Sequence, residues 1–132
     1  LKYALKMDLV KGGGLTFTKQ LPYSVAIATY QNGNLAITME NWNSGKPEPW
    51  NVLTVNLGIS LDKDCAFIDT NNNGNDICAW IIRHGLAVPT GRSVASGFCH
   101  YPEYRFRSSK LNEIDSKGYT RYLQILKTRR GV

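Results

Sequence analysis

The chain has 132 residues, 42% of them apolar and 20% charged, and a net charge of +6. That length suits one domain around one core. No apolar run approaches the ~18–20 residues of a membrane span, and Lys2, Lys6 and Lys11 lead into no continuous apolar stretch, so neither a spanning helix nor a cleaved secretory signal is expected.

The first residues end in Gly12-Gly13-Gly14, a flexible break. We divide the chain into a flexible N-terminal extension (1–19), a core domain (20–108) and a basic C-terminal segment (109–132). In the core, YSVAIATY (23–30) and LAITMENW (35–42) flank QNGN and read as a hairpin. A two-residue Asn32-Gly33 loop pairs Ile27 with Thr38. A three-residue loop, Gln31 to Gly33, pairs Ile27 with Ile37 and Val25 with Met39. The second puts like with like on one face and lets Gly33 take the left-handed position of a G1 bulge, so it is preferred.

NSGKPEP (43–49) is a loop by composition. WNVLTVNL (50–57) reads as a third strand, with Leu53, Val55 and Leu57 alternating inward. CAFID (65–69) is a short apolar strand suited to the middle of a sheet. In the following helix, about residues 75–84, Ile77, Cys78, Trp80, Ile81, Ile82 and His84 share one arc. Asp76, Ala79 and Arg83 fall opposite, and Gly85 is placed to end the helix in a left-handed conformation. LAVPTGRSVASG reads as a long loop punctuated by Pro89, Gly91 and Gly97. FCHYPEYRF (98–106) looks extended, with Pro102 favouring an edge or a bend. SKGYTRYLQILKTRR places Tyr119, Tyr122, Leu123 and Leu126 at helical spacing and is a candidate second helix; the tail TRRGV is expected to be disordered. The fold class is therefore α+β: a mostly antiparallel sheet of four to six strands with one helix packed on it.

DTNNNGNDICAW (69–80) has oxygen-bearing residues at the first, third and fifth positions and Gly at the sixth, like a calcium-binding EF-hand loop. Its twelfth residue is Trp80, which cannot coordinate, and an apolar strand precedes it. The Asn run explains itself better as turns that tolerate left-handed conformations, with Asn73 or Asn75 capping the helix and Asp76 complementing its dipole.

The odd count of three cysteines (Cys65, Cys78, Cys99) points to buried free thiols in a reducing compartment. Their spacing with His84 and His100 matches no zinc motif. Cys99 and His100, adjacent on a strand, point to opposite faces and make a poor nucleophile–base pair. No carboxylate cluster or phosphate loop is present. We expect no enzyme, no metal and no cofactor.

Charge is uneven. Residues 83–132 hold ten basic and three acidic side chains, whereas 20–82 are net acidic. YPEYRFR interleaves aromatics with arginines, a pattern that can bind nucleic acid. The expected contact surface is the Pro89–Ser96 loop with the YPEYRF strand, especially Arg92, Tyr101, Tyr104, Arg105 and Arg107, since long loops and Arg/Tyr side chains concentrate binding.

YQNGNLAI, LTVNL, CAFIDTNNN, the helix ending HGLA, PTGR and SGFCHYPEYRF, in that order and spacing from about Tyr30 to Phe106, resemble a bacterial domain-of-unknown-function family carried on conjugative and phage-like mobile elements of gut Firmicutes. The resemblance implies a cytoplasmic accessory protein of mobile DNA. Combined with the lack of a catalytic constellation, it leads us to expect a protein-binding partner of a host or element protein, such as a defence nuclease inhibited in the manner of an anti-CRISPR or antirestriction protein. The alternative is a small basic nucleic-acid-binding module acting through the C-terminal part.

Overall fold

The hairpin register follows from matching apolar side chains. In a computed structural model that describes residues 23–41, 45–46, 48–74 and 76–130, β1 (Tyr23–Thr29) pairs antiparallel with β2 (Leu35–Asn41), placing Ile27 opposite Ile37 and Val25 opposite Met39. Gly33, at φ 92°, donates to the Tyr30 carbonyl, and the Tyr30 N–H bonds the Asn34 carbonyl. This is the three-residue loop with its left-handed glycine. Residues 1–19, read above as a flexible extension, and Asn75, one of the two proposed caps, lie outside the described residues.

The expected single strand over 50–57 is two. β3 (Glu48–Val52) pairs with β2, so that the described strands of sheet A run in the order β1-β2-β3. The chain then bends at Leu53, and β4 (Thr54–Val55) begins a second sheet. Leu53 belongs to both: its N–H donates to the Ile37 carbonyl in sheet A, and its carbonyl accepts from the Asp69 N–H beyond β5 (Cys65–Ile68). Sheet B runs β4-β5-β7-β6, with β6 at Ala87–Ser96 and β7 at Cys99–Phe106. Every pairing between the described strands is antiparallel. The strands thus divide between two sheets, and β5 is internal and wholly buried, as its continuous apolar run requires.

After β5 the chain makes a one-turn helix α1 (Thr70–Asn73) and then α2 (Asp76–Arg83). Asp69 caps α1: its oxygens accept from the Asn72 backbone N–H and the Asn72 side chain. Asn73 is not a surface cap. It is buried, donates to the carbonyls of Val52 and Asp69, and accepts from Asn51, tying this turn to β3. Of the oxygens that resemble a calcium loop, those of Asp69 thus close the turn and that of Asn73 holds it against β3. Ile77, Trp80 and Ile81 are buried in the core, while Cys78 packs partly against it. Ile82, placed on the same arc by periodicity, is 52% exposed, because the arc facing the sheets is narrower than the apolar stripe. The helix ends in a Schellman motif. Gly85, at φ 65°, donates to the Ile82 carbonyl, Leu86 donates to that of Ile81, and the side chains of Ile81 and Leu86 are buried.

LAVPTGRSVASG is not a loop. It forms β6, paired along most of its length with β7. The Pro and Gly that suggest a loop serve the edge of a sheet instead. β6 is the outer strand, and its register with β7 shifts between Pro89 and Ser93. Gly91, at φ 91°, sits in this irregularity. Proline and bulges are common devices on edge strands. Pro102 fits similarly: β5 pairs with β7 only as far as Glu103, so Pro102 lies just past that contact.

The C-terminal part is helical as α3 (Ser108–Ile114), which the sequence reading did not anticipate, and α4 (Ser116–Arg130). Thr128 to Arg130 belong to α4 rather than to a disordered tail. Tyr119, Tyr122 and Leu126 are buried as their spacing predicts, and Leu123 packs partly against them. Asp115 fixes where α4 starts. One carboxylate oxygen accepts from the Gly118 N–H, and the other accepts from the Ile27 N–H of β1, at 3.0 Å each. Asp64, at a left-handed φ of 67°, anchors the other side. Its carboxylate accepts from the Tyr119 hydroxyl and from Lys63, its N–H donates to the Tyr122 hydroxyl, and its carbonyl accepts from Phe106. Burial, and then the Asp64 carboxylate, raise the pKa of Tyr119.

Two substitutions test this packing. Trp80→Ala should lower stability by about 3–5 kcal/mol in a urea titration, as truncation of a buried Trp does. Gly118→Ala should cost about 1–3 kcal/mol, the range of overpacking. Its Cβ would stand 2.5 Å from the Ile27 carbonyl oxygen and closer still to Asp115. Near-neutral Gly118→Ala would show that α4 does not approach β1 this closely.

Candidate binding surface on sheet B

Alternation along β7 divides its side chains between two faces. Tyr104 and Phe106 face the core, opposite Ala66 and Ala87 on neighbouring strands. Tyr101, Glu103 and Arg105 share the other face with Cys65 and Phe67 of β5. Arg92 joins them from the irregular part of β6. The structure thus gathers Arg92, Tyr101 and Arg105 on one surface. Tyr104, expected to belong to it, does not. It is 6% exposed and turned inward, where burial, and then the Cys78 thiol, raise its pKa to about 12. Arg107 lies beyond β7 at the start of α3, exposed, with its N–H bound to the Leu86 carbonyl.

Glu103 is the centre of this face. It is 1% exposed and is met by Arg92 in a two-pronged ion pair, with Nε at 2.5 Å from one oxygen and Nη2 at 3.1 Å from the other. Thr90 donates to the same carboxylate at 2.9 Å. A bidentate guanidinium–carboxylate pair is the strong, geometrically defined form of this contact. The Arg92 interaction, opposed by desolvation and aided by Thr90, holds the Glu103 carboxyl below its ordinary pKa. Arg92 therefore has a structural partner that its sequence context does not reveal. The outer part of its side chain stays in solvent, at 62% exposure.

Arg105 lies alongside, 3.9 Å from Asp62 and opposite Cys65 on the neighbouring strand. Burial raises the pKa of the Cys65 thiol despite the guanidinium. A protonated buried thiol is a weak nucleophile. Cys65, Cys78 and Cys99 are all free. Cys99 and His100 leave β7 on opposite faces, and His84 packs its ring 5.0 Å from Trp80. Among the described residues no group of three His, Cys, Asp or Glu is arranged to hold a metal ion.

Beyond Pro102, β7 pairs among the described strands only with β6, and the two form a ribbon joined by Gly97 and Phe98, touched by α1 where the Thr70 hydroxyl donates to the His100 carbonyl at 3.4 Å. Gly97 has φ 62° and Phe98 does not share a positive φ, the pattern of a type II′ turn. Phe98 is fully exposed, at 107%. Sequence reading missed both Phe98 and Glu103. The Gly97-Phe98 pair carries a turn signal, but it becomes legible only once both flanks are read as strands. The partnership of Glu103 with Arg92 depends on the shifted register of β6, which no spacing rule contains.

The family model described as Domain of unknown function (DUF4313) matches residues 24–125. The match runs from the first hairpin through most of α4. No curated protein and no solved structure matches the chain.

The Glu103 site has a pH signature. A carboxyl whose pKa is lowered by folding stabilises the protein above its unfolded pKa, and that contribution is lost as pH falls through the folded value. The melting temperature should therefore fall on acidification below the ordinary glutamate range of about 4.3. Glu103→Gln should flatten that acid limb. Arg92→Ala should lower the melting temperature most at neutral pH, where it leaves a buried carboxylate unpaired. Thermal melts across pH measure both effects, and an acid limb unchanged in Glu103→Gln would refute the assignment.

Proposed function

We propose that this chain, which belongs to the family of domains of unknown function DUF4313, is a non-enzymatic protein that binds another protein through Arg92, Tyr101 and Arg105 on sheet B and the tip of the β6–β7 ribbon. The observation that carries this reading is Phe98, a large apolar side chain wholly in solvent at the end of this ribbon. Tyr101, Arg92 and Arg105 accompany it on the ribbon and the adjoining sheet face. Aromatic and arginine side chains are enriched in binding interfaces, and a few of them usually dominate affinity. The Arg92–Glu103 pair holds one of these arginines in a defined orientation, which lowers the entropy lost on binding.

The resemblance to proteins of conjugative and phage-like elements supports a partner in the cytoplasm of a bacterial host. A defence nuclease, inhibited in the manner of an anti-CRISPR or antirestriction protein, is the partner we infer. Among the described residues no helix is long and apolar enough to cross a membrane.

A tagged chain should recover a stoichiometric protein from host lysate and relieve interference against a plasmid or phage. Phe98→Ser should weaken that binding by ~30-fold or more, the range of an interface hot spot, while its melting temperature stays at the wild-type value. Arg105→Glu should weaken it as well. Recovery of no stoichiometric partner, or undiminished binding by both folded variants, would overturn the reading.

A further inference from the structure

Among the described residues, a block of unneutralised charge lies on α4, which shares no residue with the sheet B surface. The helix carries Lys117, Arg121, Lys127, Arg129 and Arg130 and no acidic residue. Lys117, Arg121, Lys127 and Arg129 are exposed. Among the described residues none of these four has an ion pair or a side-chain hydrogen bond. The acids nearest in the chain are turned elsewhere. Glu113 faces Lys110 at 3.7 Å, and Asp115 points inward to Ile27 and Gly118.

The outward side chains are ordered. Lys117, Arg121, Gln124 and Thr128 follow one another at four, three and four residues, which aligns them along one side of a helix. The row is about 16 Å long at the helical rise of 1.5 Å per residue. The opposite side is already used, because Tyr119, Tyr122 and Leu126 bury it in the core.

We propose that this face of α4 binds duplex DNA by contacting its phosphates from within or across the major groove. Lys, Arg, Gln and Thr are the side chains that make phosphate contacts. A major groove about 12 Å wide admits an α-helix, and a row of this length reaches phosphates on both of its walls. The deep, narrow major groove of an RNA duplex does not admit one. A membrane surface fits less well. A helix that lies on lipid needs bulky apolar residues beside its basic ones, and here the exposed side offers only Ile125, itself just 37% exposed.

The test is an anisotropy titration of the full chain against a fluorescent DNA duplex of about two helical turns, repeated over a range of salt. A matching RNA duplex, phosphatidylserine vesicles and polyglutamate serve as comparison ligands. The DNA duplex should bind at low salt and bind most tightly of the four. The double variant Lys117→Gln/Arg121→Gln should melt like the wild type, bind at least about tenfold more weakly, and show a slope of log affinity against log salt shallower by about 0.9 per lost contact. Phe98→Ser should bind DNA as the wild type does, which separates this proposal from the protein-binding one. No DNA binding at low salt, an unchanged affinity or slope in the double variant, or equal or tighter binding to any comparison ligand would overturn it.

Discussion

The fold depends on one residue's backbone serving two sheets. Leu53 sends its N–H to Ile37 in sheet A and receives the N–H of Asp69 at its carbonyl, beside sheet B. Its side chain is buried between them. Thr54 reinforces the bend, since its hydroxyl oxygen accepts from the Ile37 N–H and meets the Tyr30 hydroxyl. A buried polar backbone group without a partner is costly, so a chain can leave one sheet for another in the interior only where each group finds a partner on arrival. The two sheets therefore share one core, in which Val25, Ile27 and Ile37 of sheet A meet Trp80, Leu86 and Phe106 of the sheet B side.

The remaining elements are fastened by buried or half-buried polar side chains, each reaching a segment distant in the chain. Asn73 holds α1 to β3, Asp64 holds β5 to α4, Asp115 holds α4 to β1, and Glu103 holds β7 to the irregular stretch of β6. Burial makes such groups expensive unless they are fully bonded, which gives each contact little freedom to slip. Asp115 also gives the Ile27 N–H of β1 a partner within the molecule.

This arrangement separates the molecule's exposed chemistry into two regions of different character. The β6–β7 ribbon and adjoining face carry an aromatic tip with arginines positioned by the sheet. The outer side of α4 carries cations on long side chains, with the helix itself held by the tyrosines beneath. The first suits a shaped, partly apolar partner and the second a repeating anionic one. α4 owes its position to Asp64 and Asp115, and the ribbon owes its own to the β6–β7 pairing, so neither region requires the other to be built.

Local periodicity determined much of the architecture from the sequence by itself. Matching Ile27 with Ile37 yields the hairpin loop, the apolar run CAFI yields a buried strand, and the spacing of Tyr119, Tyr122 and Leu126 yields the buried side of α4. These are short-range regularities imposed by the two-residue and 3.6-residue repeats. Gly85 is legible for the same reason, since a helix end is a local event. Tertiary structure alone decided the rest. Leu53 reads as one more inward residue, because alternation does not reveal that the chain changes sheets there. Pro89 and Gly91 read as a loop, because the same residues suit a loop and an irregular edge strand, and only pairing with β7 distinguishes them. Tyr104 and Arg105 are adjacent and similar in sequence, yet one is in the core and the other in solvent, since the face each takes depends on how β7 sits between β5 and β6. Arg92 and Glu103 find each other through a register shift between two strands, and a contact set by the relative displacement of two segments is not written in either one.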